Sequence, residues 1–124
     1  MQKILYVGIG GGIGAVARYL VSTGMGETRL PLGTLTVNVI GGFLIGLIME
    51  ICLTTDFISP NMKMFLTTGV MGGLTTFSTF SYETVRLFSQ GDFKRGCLNI
   101  FLNIGLCLGG VCLGQYAAAK LICE

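Results

Sequence analysis

The sequence predicts an all-α membrane protein with four transmembrane helices per chain, the third broken near mid-membrane. Three observations predict it. Hydrophobic residues make up 52% of the 124 residues and charged residues only 11%, where a soluble domain carries about 25%. Four stretches are apolar over the length that a bilayer-crossing helix needs, about 20 residues. Glycine, at 20 residues, recurs at four-residue spacing inside those stretches.

The spans fall at residues 4–23, 32–53, 62–88 and 97–121, so residues 1–124 read as one transmembrane domain. Short polar breaks separate them. Pro31 and Pro60 each stand just before a span, where a helix start tolerates proline. Span 1 begins almost at once, after Lys3. Because hydrophobic spans continue toward the C terminus, it is expected to be a permanent span and not a cleaved leader. Gly8 and Gly12, Gly10 and Gly14, Gly42 and Gly46, Gly105 and Gly109, and Gly110 and Gly114 are each four apart. Small residues at that spacing let helix backbones approach closely in lipid.

Several function classes fall away on composition. There is no histidine, which removes the commonest general base and any Ser-His or Cys-His pair; an enzyme is not expected. Cys52, Cys97, Cys107, Cys112 and Cys123 form no CxxC pair and fit no zinc spacing. The eight cations are scattered, so nucleic acid is not an expected partner. Gly10, Gly12 and Ala15 fit a dinucleotide-binding pattern, but neither the preceding strand nor the later acidic residue it requires is present.

Charge gives an unusual topology signal. With four spans, one side carries Lys3, Lys63 and Lys120. The other carries Arg29, Arg86, Lys94 and Arg95, with Arg18 near that end. Lys and Arg in short loops set orientation, and here the bias is close to nil. A chain without bias inserts both ways, and two opposed copies can pair as an antiparallel dual-topology homodimer. Inverted repeats in transporters have that symmetry. Four helices do not easily enclose a pathway; eight do. The alternative is a bias that is weak by chance.

Polar side chains at membrane depth are costly and tend to be functional. Asn38 lies within span 2 just before Gly41-Gly42. Gly72-Gly73 followed by Thr75-Thr76 makes a poor continuous helix, so span 3 breaks there. Unwound backbone survives in lipid only when buried in protein or lining a cavity, and its carbonyls can hold a small cation. Phe77 and Phe80 follow at i, i+3, with Ser78, Thr79 and Ser81 around them. In span 4, Asn99, Asn103 and Cys107 form a stripe at i, i+4, i+8. Each feature has a plainer reading: amides as interhelical glue, and hydroxyls bonded back to their own helix. The lining offers amide and hydroxyl donors, no mid-span acid, and the positive potential of Arg18. Phenylalanine edges carry the positive part of the ring quadrupole. Together these favour a pathway for a small anion.

Three segments then carry a resemblance: GGGIGAVARY at 10–19, GTLTVNVIGGFLIG at 33–46 and GVMGGLTTFSTFSYE at 69–83. In this order, within four spans, they resemble the small fluoride channels called Fluc (CrcB) over nearly the whole chain. The resemblance implies a dual-topology homodimer in a microbial cell membrane, with two antiparallel pores that pass fluoride selectively and passively, and a structural central Na⁺. It implies that Gly72 and Thr75 supply backbone carbonyls to Na⁺, that Phe77 and Phe80 are the pore phenylalanines, and that Asn38 is a donor beside them. Ser78, Thr79 and Ser81 are implied hydroxyl contributors, and Arg18 an attractor of anions to a vestibule. Members often carry a tyrosine and serines along the fourth span; here Asn99, Asn103 and Cys107 hold those places, which keeps donors at the first two.

Two other readings compete. A small multidrug transporter also has four spans and dual topology, but needs a carboxylate in its first helix, and span 1 has none. A non-transporting membrane assembly subunit would account for the glycines, but not for the break with its hydroxyls and rings.

Overall fold

The computed structural model describes all 124 residues, and every regular element in it is a helix. The order is α1 (Gln2–Gly24), α2 (Leu32–Thr54), α3 (Pro60–Met64), a π-helical segment (Phe65–Met71), α4 (Gly72–Leu74), α5 (Phe77–Ser89) and α6 (Phe93–Cys123). The third span is therefore two half-helices. The first runs from α3 through the π-helical segment to α4, the second is α5, and Thr75 and Thr76 separate them.

Local chemistry sets the helix starts. Ser59 Oγ accepts the Met62 N–H at 3.2 Å, and Pro60 occupies the first turn, where its missing N–H costs nothing. Thr76 Oγ1 accepts the Thr79 N–H at 3.1 Å and starts α5. Asp92 accepts the Arg95 N–H at 3.2 Å and starts α6. That cap begins the fourth helix at Phe93, earlier than the expected span at 97–121: Lys94 and Arg95 look like a polar break, yet they form a capped first turn. The Arg95 side chain, hydrogen-bonded and ion-paired to Asp92, holds that carboxyl below the usual carboxylate range. The cap is thus intact at neutral pH and weakens only as pH falls through the depressed value. Gly91, at φ +79°, ends α5: its N–H goes to Phe88 and that of Asp92 to Leu87, a left-handed terminator that favours glycine.

Packing rests on two glycine seams. Along the first, α1 lies against the π-helical segment and α4. A Cβ at Gly10 would come within 2.5 Å of the Phe65 carbonyl oxygen, and one at Gly14 would collide with the Val70 carbonyl. Along the second, α2 lies against α6, where a Cβ at Gly42 would stand 2.9 Å from the Cys107 carbonyl oxygen. Gly46 and Gly114 are tighter still, against the carbonyls of Val111 and Phe43. Gly8, Gly12, Gly105 and Gly109 have no such neighbour within 4 Å, so two of the five spaced pairs make no contact within the chain.

The apolar centre is small. Val37, Met71 and Leu74 are buried, with Ala17, Val21, Leu44, Ile45, Ile48 and Val70 around them. Only 20 of 124 residues are buried, while Ile4, Ile9, Leu20, Phe101 and Leu113 stand exposed. An apolar exterior of this extent suits acyl chains and not water. Three helices are each long and apolar enough to cross a membrane, and the third span is divided into shorter pieces.

The seams yield a direct test. Gly14→Ala forces overpacking against Val70, and Gly12→Ala on the same helix does not. We expect Gly14→Ala to cost about 1–3 kcal/mol and to lower the thermal midpoint in detergent, with Gly12→Ala at or above the parent. Equal midpoints for the two variants would contradict the seam.

Candidate functional site

The break is two residues of extended backbone inside a helical span. Thr75 has φ −84°, ψ 156° and Thr76 φ −150°, ψ 119°. Glycine at 72 and 73 weakens the helix before it, and β-branched Thr75 and Thr76 favour the extended state. Extended backbone at this depth must find partners, and α2 supplies them. Asn38 Oδ1 accepts the Thr76 N–H at 2.8 Å, and Asn38 Nδ2 donates to the Thr76 carbonyl at 3.2 Å. The side-chain amide thus pairs with Thr76 as a neighbouring strand would. One turn on, Gly41 leaves the space that the Thr75 methyl fills.

Following the carbonyls through the break decides which stay open. In a continuous helix the Gly72 carbonyl would receive the Thr76 N–H, but Asn38 takes that N–H. The Thr75 carbonyl would receive the Thr79 N–H, but Thr76 Oγ1 takes it. Gly73 and Thr76 are engaged from outside: Arg18 Nε donates to the Gly73 carbonyl at 3.0 Å, and Asn38 Nδ2 serves Thr76. Gly72 and Thr75, the two residues nominated for a cation, therefore lose their helical donors and stand on an open groove.

From Asn38 a polar ladder runs into α6. Asn38 Nδ2 also donates to Asn103 Oδ1 at 3.0 Å. Asn103 Nδ2 donates to the Asn99 side chain at 3.0 Å and to its backbone carbonyl at 2.9 Å. Asn99 Nδ2 donates to Thr84 Oγ1 at 2.9 Å, and Thr84 donates to the Phe80 carbonyl at 2.7 Å. Asn99 is completely buried and Asn103 nearly so. These amides satisfy one another, as the glue reading of the stripe expects. Asn38 and Asn103 also line the groove, so the ladder's edge is accessible from it.

The groove has a volume of about 500 Å³ and is lined by Gly72, Thr75, Thr76, Phe77, Phe80 and Cys107 besides the two asparagines. Phe77 is 79% exposed and Phe80 only 7%. Their ring centroids lie 5.5 Å apart with planes tilted by 59°, presenting an edge beside a face. The serines and Thr79 are less engaged with the groove. The Ser81 hydroxyl turns back to the Phe77 carbonyl at 2.8 Å. Ser78 shares a hydrogen bond with Thr76 at 3.3 Å, and Thr79 contributes its backbone N–H to the cap. Arg18, expected at a vestibule, lies half-buried against the break.

Sequence reasoning missed one pair. Thr34 Oγ1 donates to Glu83 Oε1 at 2.8 Å, and Glu83 Oε2 is buried without a partner. The pair lines a second cavity, of about 360 Å³, with Arg29, Arg86 and Gln90 around it. A signal existed: Thr34 stands one helical turn before Asn38, and Glu83 closes the segment at 69–83.

The chain matches the family model described as CrcB-like protein, Camphor Resistance (CrcB), over residues 5–115. It is similar to proteins named fluoride-specific ion channel FluC. That of Clostridium novyi is 51% identical over 98% of this chain and 99% of its own. Those of Clostridium perfringens and Geobacter sulfurreducens are 50% and 48% identical, again over 98% of this chain and 99% and 100% of theirs.

The ladder predicts coupling. Asn99→Leu removes the side-chain oxygen that accepts from Asn103 and the amide that serves Thr84, and should cost about 1–3 kcal/mol. With Asn103→Leu added, the double variant should be less destabilised than the sum of the singles, by about 0.5–3 kcal/mol. Thermal midpoints of the four proteins in detergent measure this, and strict additivity would show that the two amides act independently.

Proposed function

The chain belongs to the CrcB family, and from that premise we propose that it is a fluoride channel whose conduit forms when two copies join groove to groove in opposite orientations. It is a multi-pass membrane protein and not an enzyme; fluoride moves down its own gradient. The observation that carries the reading is the Asn38-held break, with Phe77 and Phe80 beside it on an open, donor-edged groove. Relatives named fluoride-specific channels align along nearly the whole chain.

The arrangement suits a small, strongly hydrated anion. Dehydration requires replacement donors, and the Asn38 and Asn103 amides stand at the groove edge. Each N–H that now serves a neighbour can be exchanged to a passing anion, so the ladder holds its shape while donors hand over. Phe77, exposed in the single chain, becomes covered when the second copy closes the groove, and the ring edges then face the ion where water would otherwise be. No carboxylate lines this groove, so no full negative charge repels an anion there. Ser78, Thr79 and Ser81 supply polarity around the rings and fix the start of α5.

The same closure brings two breaks together. Gly72 and Thr75 of each copy present backbone oxygens that have lost their helical N–H donors, a hard-oxygen set that fits Na⁺. Bound there, Na⁺ would neutralise the converging carbonyl dipoles at the centre of the dimer. An antiparallel pair with its two-fold axis in the membrane plane also accords with the near-equal distribution of cations between the two sides.

Liposomes carrying the protein and loaded with potassium fluoride should release fluoride when an ionophore shunts potassium, and those loaded with chloride should not. Phe77→Ile and Phe80→Ile should each slow efflux by roughly fivefold, as expected for losing about 1 kcal/mol of ring-edge interaction, with the dimer retained on size exclusion. Parent-like efflux from both variants would remove the rings from the conduit; equal chloride release would remove the fluoride reading itself.

A further inference from the structure

Arg18 is the one cation that reaches into the break. Its Nε donates across 55 residues of sequence to the Gly73 carbonyl, from a half-buried position on α1. It has no carboxylate partner, since the ion pair in the structure joins Arg95 to Asp92. The backbone it engages is fixed: a Cβ at Gly73 would collide with the Gly11 carbonyl and stand 2.9 Å from the Ala15 nitrogen, so α1 presses directly on the break. Gly73 lies between Gly72 and Thr75 in the chain but faces α1 and does not line the groove, so Arg18 pins the backbone that joins the two open carbonyls.

We propose that Arg18 is a specificity-determining residue for the break, setting which cation it accepts by pinning the backbone at Gly73. This rests on the reading that Gly72 and Thr75 hold Na⁺. Selectivity among alkali cations in a carbonyl cage follows from the number and field strength of the oxygens and from how freely they move. With Gly73 engaged by Arg18 and Thr76 by Asn38, each chain offers a small, stiff set. Releasing Gly73 loosens the backbone between the two oxygens, and a looser set admits the larger potassium ion. The role belongs to a hydrogen bond at one atom and not to the positive charge.

That distinction is testable because the donor is Nε. Glutamine carries its amide nitrogen at the same distance along the side chain without charge. Lysine keeps the charge but puts a methylene there; methionine lacks both donor and charge. Purified protein is unfolded by heat in detergent with sodium, potassium or N-methylglucamine chloride at matched ionic strength. The parent and Arg18→Gln should be protected by sodium at concentrations at least about tenfold below those of potassium, while Arg18→Lys and Arg18→Met should protect equally with the two ions to within about threefold. A sodium-selective parent with Arg18→Lys also selective and Arg18→Gln not would assign the effect to charge and overturn the proposal. Retained selectivity in Arg18→Met would overturn it as well. If Arg18→Met does not fold, the glutamine and lysine variants decide. A parent indifferent to sodium would instead remove the sodium reading, and this inference with it.

Discussion

The paired hydrogen bonds between the Asn38 side chain and the Thr76 backbone are the interaction on which the remainder of the architecture depends. Lipid offers no water to an opened helix, so an unwound turn persists only if protein groups replace the donors and acceptors it has lost. A side-chain amide is a peptide in miniature and can satisfy an N–H and a C=O of the same residue together. Taking the Thr76 N–H away from the helix opens the Gly72 carbonyl, and the consequent cap at Thr76 opens that of Thr75. One asparagine thereby creates both the interruption and the pattern of oxygens around it.

The same residue begins the ladder through Asn103 and Asn99 to Thr84 and the Phe80 carbonyl. This joins the second half of the third span to the fourth helix, and it ends beneath the ring that is buried on the groove. The two interpretations of the asparagine stripe, glue and donor lining, are therefore not exclusive. A fully bonded network is rigid, and it holds the amide nitrogens at fixed positions. Asn99 is wholly enclosed and serves as glue, whereas Asn38 and Asn103 are bonded within the ladder and also line the groove.

Much of this was legible in the residues. Four apolar stretches, a glycine-threonine interruption in the third, an isolated mid-span asparagine and an asparagine stripe in the fourth each left a mark in composition or spacing. Partnerships were not legible, because they depend on how the helices rotate against one another. Spacing alone could not tell the Gly10 and Gly14 seam from the open Gly8 and Gly12 pair. Seven residues of π-helix, Phe65–Met71, alter the angular step before the break, so a 3.6-residue reading misplaces the faces that follow. Arg18 reads as a source of positive potential near a span end until the Gly73 carbonyl is seen beside it. Thr34 and Glu83 lie 49 residues apart, and only the fold brings them together.

Chain order gives the break a further meaning. A ribosome delivers α1 and α2 before the third span, so Arg18 and Asn38 precede the extended threonines into the bilayer. The groups that satisfy the interruption thus wait for it, and the segment least able to enter lipid alone meets prepared partners. Asn99 and Asn103 arrive last, with α6, and lock what the earlier helices have accepted. The order of the helices along the gene is, on this view, itself part of how the protein is assembled.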